Sequence, residues 1–186
     1  MNLIKIADPE FDADISLIYA TAANFTGQPV YGNAICYLHV EAAEALKKAI
    51  GCASSLGYRI RIYDAFRPSE AQWVLWNHTP DPHFLADPRR GSPHSRGVAV
   101  DLALTMSDGT PLEMGTAFDA FTPKSYHGNN EISQIAQQNR LILLGIMTQA
   151  GWDFYRNEWW HYQLFNSRRY PLISDTEIPE QMMPKA

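Results

Sequence analysis

The sequence predicts a single α+β domain, a small mixed or antiparallel sheet with helices packed on it. Two long segments carry apolar residues at helical spacing, and three others carry strand patterning. Their order is helix, strand, helix, loop, strand, helix, strand, and strands joined by a hairpin or long loops, with helices segregated to one side, point to an α+β domain. At 186 residues the chain is long enough for one well-formed core and short for two, so residues 1–186 are expected to form one unit.

From Tyr37 to Leu56, Val40, Ala43, Leu46, Ala49, Ile50 and Ala53 recur at helical spacing, and Gly57 follows as a stop. Tyr58 to Tyr63 alternates Ile60 and Ile62 with Arg59 and Arg61, the pattern of a half-buried strand. Pro68 and Ser69 open a short helix running to Trp76. Four prolines between His78 and Pro93 then exclude regular structure and predict a surface loop, of a length that often serves as a lid. Gly97 to Leu104 reads as a second strand, with Val98, Val100, Leu102 and Leu104 on one face and Ala99, Asp101 and Ala103 on the other. An acid flanked by alanines on a strand face suggests room for something bound to Asp101. Asn130 to Ala150 predicts a long helix with Ile132, Ile135, Ala136, Leu143, Ile146 and Met147 inward, closed by Gly151. Trp159 to Phe165 is an aromatic strand. Beyond Tyr170, prolines and acids predict a surface tail, residues 171–186.

Composition excludes several functions. The net charge is -5 and no stretch is basic enough to neutralise a row of phosphates, so nucleic acid is not an expected partner. No segment is apolar for the length of a membrane span, and the N-terminus lacks the features of a secretory signal, so a cytoplasmic protein without a membrane partner is expected. Cys36 and Cys52 form no CxxC pair and suit a reducing compartment. HExxH, GxSxG, GxGxxG and Walker loops are all missing.

Three short stretches can carry chemistry. Ser92 to Asp101 puts His94 just before a strand and Asp101 within it, both competent zinc ligands, with Gly97 free to turn the chain back on itself. Taken alone, the pair is equally a loop histidine bridged to a strand acid. In Glu158-Trp-Trp-His161, His161 can supply a third ligand and leave a fourth position for water, and Glu158 can be the general base if it sits in the turn before the strand. Its plainer reading is an aromatic core strand with a capping acid. Arg67, fixed by Pro68 and oriented by Asp64, can stabilise an oxyanion, although an arginine at a strand end is commonly a surface ion pair. Of the other histidines, His39, His78 and His83 read as surface residues, and His127 is close enough to Asp119 in sequence to touch the pocket.

Together the pieces make a pattern: DxFRP at 64–68, SxHxxGxAxD at 92–101 and ExWH at 158–161. With Tyr19 to Gly27, Met114 to Asp119 and Asn139-Arg140, it resembles the VanX-type zinc D-alanyl-D-alanine dipeptidases over roughly residues 17 to 165, in family order. The resemblance implies a buried zinc site at the sheet, one Zn2+ per chain, held by His94, Asp101 and His161. It makes Glu158 the catalytic base and Arg67 the transition-state cation. By the same resemblance Asp119 faces the substrate ammonium, Ser92 and Tyr19 line the dipeptide pocket, and the substrate is a small D,D-dipeptide. Pro93 stands where the family has a serine, and the loop from 78 to 93 is shorter than the family's insertion. Two other readings share these residues: a zinc D,D-carboxypeptidase or endolysin-type peptidase with a more open cleft, and a non-catalytic zinc-binding module. The sequence leaves open whether the chain forms a homo-oligomer.

Overall fold

Alternating burial along β4 (Tyr58–Asp64) puts Ile60 and Ile62 in the core and makes this strand the backbone of the sheet. The structure, a computed structural model, describes residues 2–185. β4 pairs antiparallel with β5 (Ala99–Met106), which pairs antiparallel with β7 (His161–Gln163). β2 (Ala13–Ile15) joins the other edge of β4 in parallel, and β6 (Asp153–Phe154) closes the far edge, giving the order β2-β4-β5-β7-β6. The sheet is therefore mixed. A separate two-stranded ribbon pairs β1 (Leu3–Lys5) with β3 (Tyr37–His39). These short edge strands have too few residues for a period to show in sequence. The segment read as helix from Tyr37 is strand for its first three residues; α1 (Val40–Ser55) begins where the His39 ring accepts a hydrogen bond from Glu41 N.

α1 lies close on the sheet because its buried stripe is almost all alanine: Ala42, Ala43, Ala45, Ala49 and Ala53, with Leu46. α3 (Gln134–Gln149) packs beside it, capped by Ser133 Oγ on Ala136 N at 3.0 Å. Here the expectation for Ile135 is corrected, since it is 59% exposed, and the first turn begins four residues later than the periodicity suggested. β5 is buried on both faces, so Ala99 and Ala103 pack in the core as Val100 and Leu102 do. α2 (Ser69–His78) starts after Pro68, as expected, and continues two residues beyond Trp76. Among the described residues no helix is long and apolar enough to cross a membrane.

The predicted surface tail is also corrected. Ile173, Ile178 and Met182 are buried with Tyr31, Phe66 and Leu75 in a second core cluster, on irregular chain around a 3-10 turn (Asp175–Glu177). Asp175 Oδ1 accepts from Met182 N at 2.7 Å, Gly32 N donates to Met182 O at 2.7 Å, and Ile173 N donates to Ser95 O at 2.8 Å. Prolines limit regular structure here to one short 3-10 turn but do not exclude burial, because single apolar side chains can dock from irregular chain once its polar groups are paired.

Arg140, buried on α3, holds the irregular 114–126 segment from below. Its guanidinium donates to Met114 O at 2.7 Å, Lys124 O at 2.8 Å and Tyr126 O at 3.3 Å, and burial pushes its pKa down to about 10. Arg140→Met is expected to leave those carbonyls unpaired and destabilise the fold by about 2–4 kcal/mol, measurable by chemical denaturation. An unchanged midpoint would show the segment held by other contacts.

Candidate metal centre and active site

Strand register brings the site together. Asp101 on β5 stands directly opposite His161 on β7, so both side chains leave the same face. On the other side a bulge between Ile62 and Asp64 places Asp64, not Tyr63, opposite Asp101. Without that extra residue the alternation would turn Asp64 to the wrong face. His94 comes from a 3-10 turn (His94–Arg96) that ends at Gly97 with φ 69°, where a Cβ would lie 2.5 Å from Leu3 and 3.2 Å from His39 N. Only glycine satisfies both the conformation and the space.

Three electron-pair donors meet at this point. His94 Nε2, His161 Nδ1 and Asp101 Oδ1 lie 3.1, 3.0 and 3.3 Å apart pairwise, all buried. His94 Nδ1 donates to Ala65 O at 2.7 Å and His161 Nε2 to Gln163 Oε1 at 3.2 Å, which puts each ring proton on the outward nitrogen and leaves a lone pair on the inward one. Two lone pairs and a carboxylate oxygen facing one another at this spacing repel unless a cation lies among them. Ligands about 2.0–2.1 Å from a tetrahedral ion are separated by about 3.3 Å, so this donor set fits a transition-metal ion such as zinc. Burial raises the Asp101 carboxyl, but the two facing imidazoles outweigh it and hold the acid well below the ordinary range.

Around the donors stand the other groups. Arg67 is fixed from two sides: Nε donates to Asp64 Oδ2 at 2.8 Å and Nη1 to Gln72 Oε1 at 2.9 Å, with the guanidinium 4.9 Å over the Tyr19 ring. Its Nη2 is 3.5 Å from Asp101 Oδ2. Tyr31 in turn donates to Asp64 Oδ1 at 2.8 Å. Glu158 sits in the turn before β7, where the sequence reading needs a general base to be, with Oε2 3.9 Å from His161 Nδ1. Burial, then the charges of Asp101 and Asp119, push its carboxyl well above the ordinary range, against the opposing pull of Arg67. Asp119, in a left-handed conformation with φ 57°, accepts from Tyr19 OH at 2.8 Å. Burial and the Asp101 charge raise it to about 8. Ser92 is buried and its Oγ accepts from His94 N at 3.2 Å.

All eight residues singled out from the sequence line one cavity of about 340 Å3. The 78–93 loop covers it with Pro82, Phe84 and Leu85, and is fastened where Tyr155 Oη and Asn157 Nδ2 each donate to His83 O at 3.0 Å. Phe84 stacks on Phe121 at 4.9 Å. His127 is outside the cavity, against Phe154 and Tyr162, and burial lowers its pKa to about 4. His39 is buried as the cap of α1, not a surface residue, whereas His78 and His83 are exposed. Gln72, Gln163 and Tyr31 escaped sequence reasoning, because each acts through hydrogen bonds that only the fold creates.

Comparison with known proteins gives the family of the chain. The M15 peptidase family model, described as D-ala-D-ala dipeptidase, matches residues 1–180. A D-alanyl-D-alanine dipeptidase of Escherichia coli K12 is 43% identical over 174 residues, covering 94% of this chain and 90% of that protein. One from Enterococcus faecium is 38% identical over 167 residues, covering 78% and 83%. Among solved structures, the LdcB LD-carboxypeptidase shares the fold with a TM-score of 0.50 at 18% identity, covering 90% of this chain and 70% of its own. Since the family match runs almost end to end and the likeness to these dipeptidases extends over most of both chains, the protein belongs to the D-Ala-D-Ala dipeptidase family of M15 metallopeptidases.

Proposed function

We propose that the protein is a zinc-dependent dipeptidase that hydrolyses free D-Ala-D-Ala to D-alanine, with one zinc ion per chain. The convergence of three electron-pair donors beside a buried carboxyl carries this reading. His94 Nε2, Asp101 Oδ1 and His161 Nδ1 would hold the ion. When bound, it supplies Lewis acidity at the scissile carbonyl and makes water a competent nucleophile near neutral pH.

The chain's own groups do the rest. Glu158, more basic than an ordinary carboxylate, takes the proton of the attacking water and returns it to the departing amine. Arg67 presents a guanidinium already oriented by Asp64 and Gln72 to the oxygen on which charge develops, so little reorganisation is needed. Asp119, with Tyr19, takes the substrate ammonium, and Ser92 lines the wall beside the dipeptide. An N-acylated or longer peptide would leave Asp119 buried without its cation, at a cost on the order of 3–5 kcal/mol. The fastened loop also limits the cavity to a small ligand, which favours a dipeptide over the open cleft that a peptidoglycan carboxypeptidase needs. Two free cysteines suit a cytoplasmic setting, and the substrate ties the reaction to cell-wall metabolism.

Purified protein assayed for D-alanine release tests the proposal. Hydrolysis of D-Ala-D-Ala is expected to stop on treatment with chelator and return with Zn2+, and N-acetyl-D-Ala-D-Ala to react at least ~100-fold more slowly. Cleavage of a pentapeptide precursor but not of the free dipeptide would overturn it.

A further inference from the structure

The cavity is charged unevenly. Its inner part holds Asp101, Asp119 and Glu158, and the one cation there, Arg67, is already bonded to Asp64 and close to Asp101. Two further guanidiniums, Arg96 and Arg168, line the same cavity. Arg96 lies two residues beyond His94 and spends its donors on neutral backbone, Tyr170 O and, at 3.5 Å, Arg90 O. Arg168 lies in the 3-10 turn (Ser167–Arg169) that follows β7, entered through Asn166 in a left-handed conformation. Its neighbour Arg169 pairs with Glu41, but among the described residues Arg168 has neither a hydrogen bond nor a carboxylate partner.

We propose that Arg168, backed by Arg96, is the subsite for the free α-carboxylate of the dipeptide, so the cavity reads both substrate termini. The inference deepens the proposed dipeptidase function and rests on it. A zwitterionic dipeptide has its ammonium and carboxylate on opposite sides of one amide. With the ammonium at Asp119 and the amide at the donor triad, the carboxylate needs a cation elsewhere in the lining, and with Arg67 bonded to Asp64 those left are Arg168 and Arg96. There a planar guanidinium can meet it with two parallel N–H donors. Reversed binding would set the carboxylate against Asp119 and Glu158 and leave both arginines without an anion. The charge gradient therefore selects orientation as well as length.

The test compares D-Ala-D-Ala with its C-terminal amide in wild type, R168A and R168K. Arg168 is exposed and without partners, so both variants should keep the melting temperature and metal content of the wild type. Wild type is expected to prefer the free acid, and R168A to raise its KM about 10- to 100-fold with kcat little changed. R168A should leave the amide's KM where it was, and R168K should recover part of the loss. An R168A protein with unchanged KM for the free acid, or with equal losses on acid and amide, overturns the carboxylate subsite while leaving the dipeptidase standing. A wild type that hydrolyses neither compound overturns the dipeptidase itself, and the subsite with it.

Discussion

Glu158→Gln is expected to lower kcat for D-Ala-D-Ala by about 10²–10⁴-fold, the usual contribution of a positioned general base. The amide keeps the size of the side chain and its place in the turn before β7, so bound metal and KM for the dipeptide should stay close to wild type. Measuring the three together separates proton transfer from folding. A glutamate that merely capped the strand would leave kcat unaltered on substitution, and a ligand would take the metal with it. Because burial and two neighbouring acids raise the Glu158 carboxyl, the acidic limb of the wild-type pH profile should lie above the range of an unperturbed glutamate. Loss of that limb in E158Q would assign it to this residue.

Asp119→Asn is expected to impair function and improve stability at once. Removing the carboxylate should reduce kcat/KM for the free dipeptide by about 10²–10³-fold, through the lost ion pair with the ammonium, and narrow the preference over the N-acetylated form. Stability should move the other way. The folded carboxyl titrates at about 8, against about 3.9 in an unfolded chain, so the native state binds the extra proton between those values. The contribution from protonated Asp119 is complete at low pH and is lost as pH rises through about 8. In chelator, wild type should therefore lose stability from pH 6 to pH 9 relative to the asparagine variant. The difference should be on the order of 1–3 kcal/mol, since Asp119 keeps some solvent contact through the cavity. Parallel melting curves would disprove the buried-acid account.

The three donors that converge were legible in sequence because each sits beside a local signal: His94 before a glycine turn, Asp101 between alanines, His161 after paired tryptophans. Position along the strands was less so. The bulge at Tyr63 breaks the alternation that sequence suggests, and the Asp64 carboxylate reaches Arg67 because of it. β6 and the two strands at the N-terminus are too short for periodicity, and are defined by the neighbours they pair with. The C-terminal segment was misread because proline content reports backbone regularity, whereas burial of Ile173 and Met182 depends on a pocket built by residues far away in the chain. Arg140 was visible only through family resemblance, since a lone arginine on a helix says nothing of the carbonyls that surround it.

The bond from Ile173 N to Ser95 O has a consequence for assembly of the protein during synthesis. The turn carrying His94 is made near the middle of the chain, its cross-strand partner His161 much later, and the segment that stitches the turn in place later still. The sheet that carries Asp101 and His161 can pair before that segment exists, whereas the turn carrying His94 gains its last backbone bond only when Ile173 docks. Removing residues 171–183 is therefore expected to loosen the turn that carries His94 while leaving β4, β5 and β7 paired.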